Sequence, residues 1–110
     1  MANTFKNASL TDVTNGSAEN LYTTPVGTTT VVLGAAIANK SSNTVSVTLS
    51  FNDDSAGTNT DLISGVQIPG NTTLEVLAGQ KYILEPSDSL LAAADTAGAI
   101  DITMGVMEIS

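Results

Sequence analysis

Asp53, Asp54, Ser55, Asn59, Thr60 and Asp61 gather side-chain oxygens around Gly57, within the stretch SFNDDSAGTNTDLI (residues 50–63). Calcium takes roughly six to eight oxygen ligands, so the composition of this stretch permits metal chemistry. Its spacing does not support it. The EF-hand pattern D-x-[DN]-x-[DN]-G with a glutamate further on is missing. A plainer cause collects the same residue types in turns: Asn, Asp and Ser bond their own backbone, and Gly accepts positive φ. The expectation is a polar turn between two strands, with a strand ending at Phe51 and the next beginning near Asp61 and Leu62. The Asp53/Asp54/Asp61 loop is assigned no metal. A second acidic run, Glu85-Pro86-Ser87-Asp88, reads as a β-turn in which Pro86 sets φ and Asp88 bonds backbone amides. Both groups of acids are expected to dress a solvent-facing end of the molecule.

Catalytic chemistry has little to work with. Histidine and cysteine are absent, so neither Ser-His-Asp nor Cys-His catalysis is available, and the usual acid/base residue for neutral pH is missing. No phosphate-binding loop of the GxxxxGK[ST] type and no GxGxxG before a helix occurs. A pair of carboxylates of the glycosidase kind remains formally open among eleven acids. Such a site also needs aromatic platforms and arginines, and the chain has two Phe, two Tyr, no Trp and no Arg. No enzyme activity, catalytic residue or cofactor is expected.

Eleven acids face three lysines (Lys6, Lys40, Lys81), for a formal charge of −8. That balance argues against nucleic acid, which needs cations to neutralise phosphates, and against anionic membrane surfaces. Without cysteine there is no disulfide framework and no thiolate metal site, in keeping with folding in a reducing cytosol. The opening ANTFKNASL lacks both the charged start and the apolar core of a signal peptide, and no apolar run is long enough to span a membrane as a helix.

The elements that would position any site are strands. TVSVTLSF alternates with period two: Val45, Val47, Leu49 and Phe51 face one way, Ser46, Thr48 and Ser50 the other. AIDITMGV repeats this with Ile100, Ile102, Met104 and Val106. TTTVVLGAAIAN (28–39) is apolar on both parities and predicts a central strand covered on both faces. DLISGVQI (61–68), TTLEVL (72–77), KYILE (81–85) and a short LLAAAD strand follow, with turns at Pro69-Gly70-Asn71 and Gly79-Gln80. Towards the N-terminus, ENLYTT is a strand, NGS (15–17) a hairpin signal, and residues 1–10 a strand or an extended arm. Eight or nine short strands with regular turn signals predict an all-β, single-domain antiparallel sandwich over residues 1–110, jelly-roll or Ig-like. Met104 and Met107, Val31 and Val32, Leu62 and Ile63, and Leu90 and Leu91 have opposite parity. These two-sided segments suggest packing between subunits.

The whole chain also carries a resemblance. MANTFKNASLTDV leads into LYTTPVGTTTVVLGAAIANKSSNTVSVTLSFND, with a P-x-G-T turn before a long apolar strand. IPGNTTLEVLAGQKYILEPSDSLLA and the terminal strand DITMGVMEIS follow. This order resembles small all-β virion proteins of tailed bacteriophages, especially those of marine and cyanobacterial phages. Ser87 stands in LEPSDSL where those proteins often have glycine, so a different turn is expected there. The resemblance implies a structural protein of the virion, a decoration or cement protein on the outer capsid lattice, folded in the host cytoplasm. Its partners would be the major capsid protein or another virion protein and further copies of itself, as in a trimer. It transfers no catalytic residues. The alternative is a tail, neck or fibre-attachment component, including a receptor- or glycan-binding module. Contact is expected through residues 2–10 and a sheet edge, by strand addition.

Overall fold

A computed structural model describes residues 3–14, 17–77 and 82–110. Nine strands make up the described chain, with no helix: β1 (Asn3–Leu10), β2 (Glu19–Thr23), β3 (Thr29–Asn39), β4 (Val45–Asp53), β5 (Thr58–Ile68), β6 (Thr73–Val76), β7 (Tyr82–Leu84), β8 (Ser89–Ala94) and β9 (Ile100–Ile109). They form two antiparallel sheets. Sheet A runs β1-β9-β3-β6, with β7 also paired to β3, and sheet B runs β2-β8-β4-β5. Successive strands from β1 to β4 cross from one sheet to the other, as do β5 to β6 and β7 to β8 to β9. Of the two sandwich topologies the sequence admits, this is the jelly roll.

Period-two alternation places the core between the sheets. Val45, Val47 and Leu49 of β4, Leu90, Ala92 and Ala94 of β8, and Ile100, Ile102, Met104 and Val106 of β9 are all buried, with Val32, Ala35 and Ile37 of β3 facing them. Phe51 packs against this cluster from its edge. The N-terminal segment is a strand along residues 3–10, paired over its whole length with β9. The hairpin signal at Asn15-Gly16 and the turn at Gly79-Gln80 lie outside the described residues, as does Lys81.

One strand boundary differs from expectation. β4 runs on to Asp53 and β5 begins at Thr58, so the polar stretch is mostly ladder, paired Asn52 to Asn59 and Asp53 to Thr58. Backbone bonds carry a ladder past the last apolar residue, and here a side-chain bond adds to them, Asn52 Nδ2 donating to Asn59 Oδ1 at 2.7 Å. The turn itself is Asp54–Gly57, closed by Gly57 N–H on the Asp53 carbonyl at 2.8 Å.

Far from that turn, one buried side chain joins two others. Asn39, 2% exposed, donates through Nδ2 to the carbonyls of Asn43 (2.8 Å), Ile68 (2.9 Å) and Pro69 (3.3 Å). Its Oδ1 accepts from the Ser41 amide at 3.0 Å and the Ser41 hydroxyl at 2.8 Å. The two turns then pack so closely that a Cβ on Gly70 would lie 2.5 Å from the Ser42 carbonyl group. Asn39→Ala leaves several of these buried backbone groups without partners, so we expect a loss of about 2–4 kcal/mol. Urea unfolding with an unchanged m-value checks this.

Candidate interaction surface

The acids singled out by composition do not converge on a site. Asp53 turns its carboxylate onto its own loop, accepting from the Ser55 hydroxyl at 2.9 Å and the Ala56 amide at 3.3 Å. Asp61 lies on β5 opposite Ser50, away from the turn. Among the described residues no three carboxylates stand close enough together to hold a metal ion. Asp88 corrects the expectation of a solvent-facing cluster, because it is buried, 2% exposed. Its Oδ2 accepts from the Glu85 amide at 2.9 Å and its Oδ1 from the Asp54 amide at 3.0 Å. The carboxylate thereby splices the β7–β8 turn to the β4–β5 hairpin, and that use of its oxygens is why it is inside. Ser87 has φ 72°, the left-handed value that a type II turn needs after Pro86. Serine therefore takes the backbone conformation in which glycine is favoured, and the expected change of turn is not seen.

A polar clasp between the sheets was not visible in the sequence. The Tyr22 hydroxyl on β2 reaches across to sheet A, donates to Glu108 Oε2, and stands 2.9 Å from the Thr30 hydroxyl. Glu108 Oε1 pairs with Lys6 Nζ of β1 at 3.0 Å. The clasp thus ties β2, β3, β9 and β1 together. Burial, followed by the hydrogen bond to the Glu108 carboxylate, pushes the Tyr22 pKa up to about 12. The Tyr22 hydrogen bond, followed by Lys6, holds the Glu108 carboxyl below its usual range. A phenol kept neutral in this way is a structural tie; it is poorly suited to deprotonation near neutral pH.

The two outer faces of the sandwich differ. On sheet B, Ser46, Thr48, Ser50 and Asn52 of β4 stand beside Ser89, Leu91 and Ala93 of β8, a face that is polar apart from Leu91 and Ala93. On sheet A the register aligns Phe5 of β1 with Met107 of β9, Met107 with Val31 of β3, and Val31 with Ile83 of β7. Directly opposed residues share a face, so an apolar row crosses four strands on the side away from the core. Phe5 is 73% exposed, Ile83 54% and Leu33 43%. Leu33 occupies a bulge in β3, between the Val32–Val106 and Gly34–Gly105 pairs. Beside it, shallow grooves of about 460 Å³ and 320 Å³ open to solvent. One runs over Gly105 between Phe5 and Leu33, the other over Gly34 and Ala36 towards Glu75. The opposite parity of Met107 and of Val31/Val32 was the signal for this face. Phe5 and Ile83 gave none, because the apolar row exists only once four separate strands are in register.

A smaller apolar pocket of about 70 Å³, lined by Phe51, Leu62, Tyr82, Ile83, Leu84 and Leu90, falls well below the roughly 300 Å³ at which small-molecule sites begin. No protein-family model matches this chain, and no curated protein matches it in sequence.

The clasp gives a pH prediction. A folded-state pKa above the ordinary value near 10 means that Tyr22's contribution is whole below about pH 10 and fades as pH climbs through about 12. Absorbance titration at the phenolate band should therefore show one tyrosine ionising near 12. That step should vanish in Tyr22→Phe, and the variant's stability deficit should narrow as pH rises through that window.

Proposed function

We propose that this protein acts by contact and not by catalysis, as a structural subunit of a bacteriophage virion that decorates and stabilises the capsid lattice. The single observation that carries a contact role is the outer face of sheet A, where Phe5, Leu33, Val31, Met107 and Ile83 form an apolar surface without a covering element among the described residues. Exposed apolar patches of this kind mark interaction sites. Apart from Val26 in the β2–β3 turn, the strongly exposed large apolar residues among the described ones all lie on that face, and the net charge of −8 favours staying dispersed until the contact forms.

A second feature adds a route to the lattice. β1 closes one end of sheet A, and its outward edge offers backbone donors and acceptors to an added strand. The resemblance to small tailed-phage virion proteins, set out above from the order of strands and turns, supplies the virion context. Jelly rolls serve as capsid subunits, lectin domains and enzymes alike, so the fold alone does not favour one of these. A lectin role is disfavoured by the shortage of aromatic platforms: Phe5 is the one strongly exposed aromatic among the described residues.

Copy number in purified virions tests the reading. A decoration protein is present in numbers comparable with the capsid protein itself, measurable by quantitative gel densitometry. A small fixed number per particle would place the chain in the tail or neck instead, and absence from particles would remove the virion role.

A further inference from the structure

Gly105 pairs with Gly34 beside the β3 bulge. It lies in the middle of β9 with no positive φ, and a Cβ built on it would meet nothing within 4 Å. Glycine inside a strand weakens it and marks either a bulge, as in the neighbouring β3, or a place where another backbone approaches closely. Here it forms the floor of the groove between Phe5 and Leu33 on the outer face of sheet A. On that same face, next to the groove, Leu33 projects from the β3 bulge.

We propose that a second copy of this chain packs here, sheet A against sheet A about a two-fold axis, with Leu33 of each copy seated over Gly105 of the other. A projection and a recess side by side on one face are self-complementary under a two-fold rotation, which is the requirement for an isologous interface. Charge does not favour self-association as such, but it limits where two copies can meet. Each chain carries −8, so two copies repel wherever their acids meet. A partner chosen by charge would be basic and would seek the acidic ends of the sandwich. The row of Phe5, Met107, Val31 and Ile83 holds no charged side chain; Lys6 borders the groove over Gly105 but is paired with Glu108 at 3.0 Å, while Glu75 and Asp101 stand towards the other end, Asp101 paired with Lys40 at 3.0 Å. The scale is adequate as well. Four strands of about nine residues cover on the order of 600 Å² before side-chain relief is counted, near the ~800 Å² per partner of a standard interface. This inference deepens the contact reading of sheet A by naming the occupant, and it leaves the β1 edge free for a lattice.

Sedimentation equilibrium of the full chain tests it. The expected mass is twice 11.1 kDa, falling to the single-chain mass on dilution. Leu33→Glu and Gly105→Val should each shift the protein to a monomer, with the β-sheet circular dichroism intact. At dilutions where the wild type is also monomeric, Gly105→Val should melt no lower than the wild type, since a Cβ there meets nothing within 4 Å and valine favours a strand. A wild-type monomer up to about 1 mM, where even weak association registers, would overturn the proposal. So would a trimer, or a dimer unaffected by both substitutions. The two readings fail separately. A dimer that is absent from virions removes the virion role alone, and an abundant virion protein that is monomeric in solution removes the two-fold alone.

Discussion

Sheet A is apolar on its inner side and, over the half that bears Phe5, Met107, Val31 and Ile83, on its outer side as well, which a two-layer sandwich leaves uncovered. β3 and β9, the central strands of that sheet, send Val32, Ile37, Ile102, Met104 and Val106 inward and Val31, Leu33, Met107 and Ile109 outward. An antiparallel sheet facing water on one side ordinarily alternates cleanly between apolar and polar residues, as β4 of sheet B does. The outward row of sheet A breaks that rule, and the grooves, the bulge at Leu33 and the bare strand at Gly105 all lie on the side where it is broken.

The sandwich itself is held by an aliphatic core together with polar ties at its turns and between its sheets. Asn39 joins the β3–β4 turn to the β5–β6 turn, Asp88 joins the β7–β8 turn to the β4–β5 hairpin, and Tyr22 with Glu108 and Lys6 clasps one sheet to the other. Each satisfies groups that would otherwise be buried without partners, where the cost of a missing hydrogen bond is greatest. Such ties specify which turn meets which, while the alternating core fixes the parity of each strand's register. Because the ends and the inter-sheet gap are secured within one chain, the outer face of sheet A need not serve the fold.

Alternation made much of this legible in the sequence. The inward residues of β4 and β9 and the two-sided character of β3 follow from periodicity, and the short strand β8 from the turns that flank it. What escaped was long-range pairing. Asp88 has the look of a surface turn residue until its partner Asp54, 34 positions earlier, is brought beside it. Tyr22 and Glu108 are 86 residues apart, and no local pattern links them. The start of β5 was hidden because Thr58, Asn59 and Thr60 are polar, although their backbone pairs as well as any. Nor could Gly105 be read as unusual without knowing its φ and its empty surroundings.

For the proposed contact role, the outer face of sheet A offers a rigid surface whose ordering cost is already met by folding. If copies stack through sheet A, the assembly has four layers spaced by about 10 Å, with its two centres about 20 Å apart. Small-angle X-ray scattering measures this directly. One chain has a Cα radius of gyration of 13.7 Å, and two stacked face to face have one of about 17 Å by the parallel-axis relation with that layer spacing. The account predicts the latter value. A radius that stays near that of the single chain at every concentration, or one far larger from end-to-end association along the 45 Å axis, would contradict it.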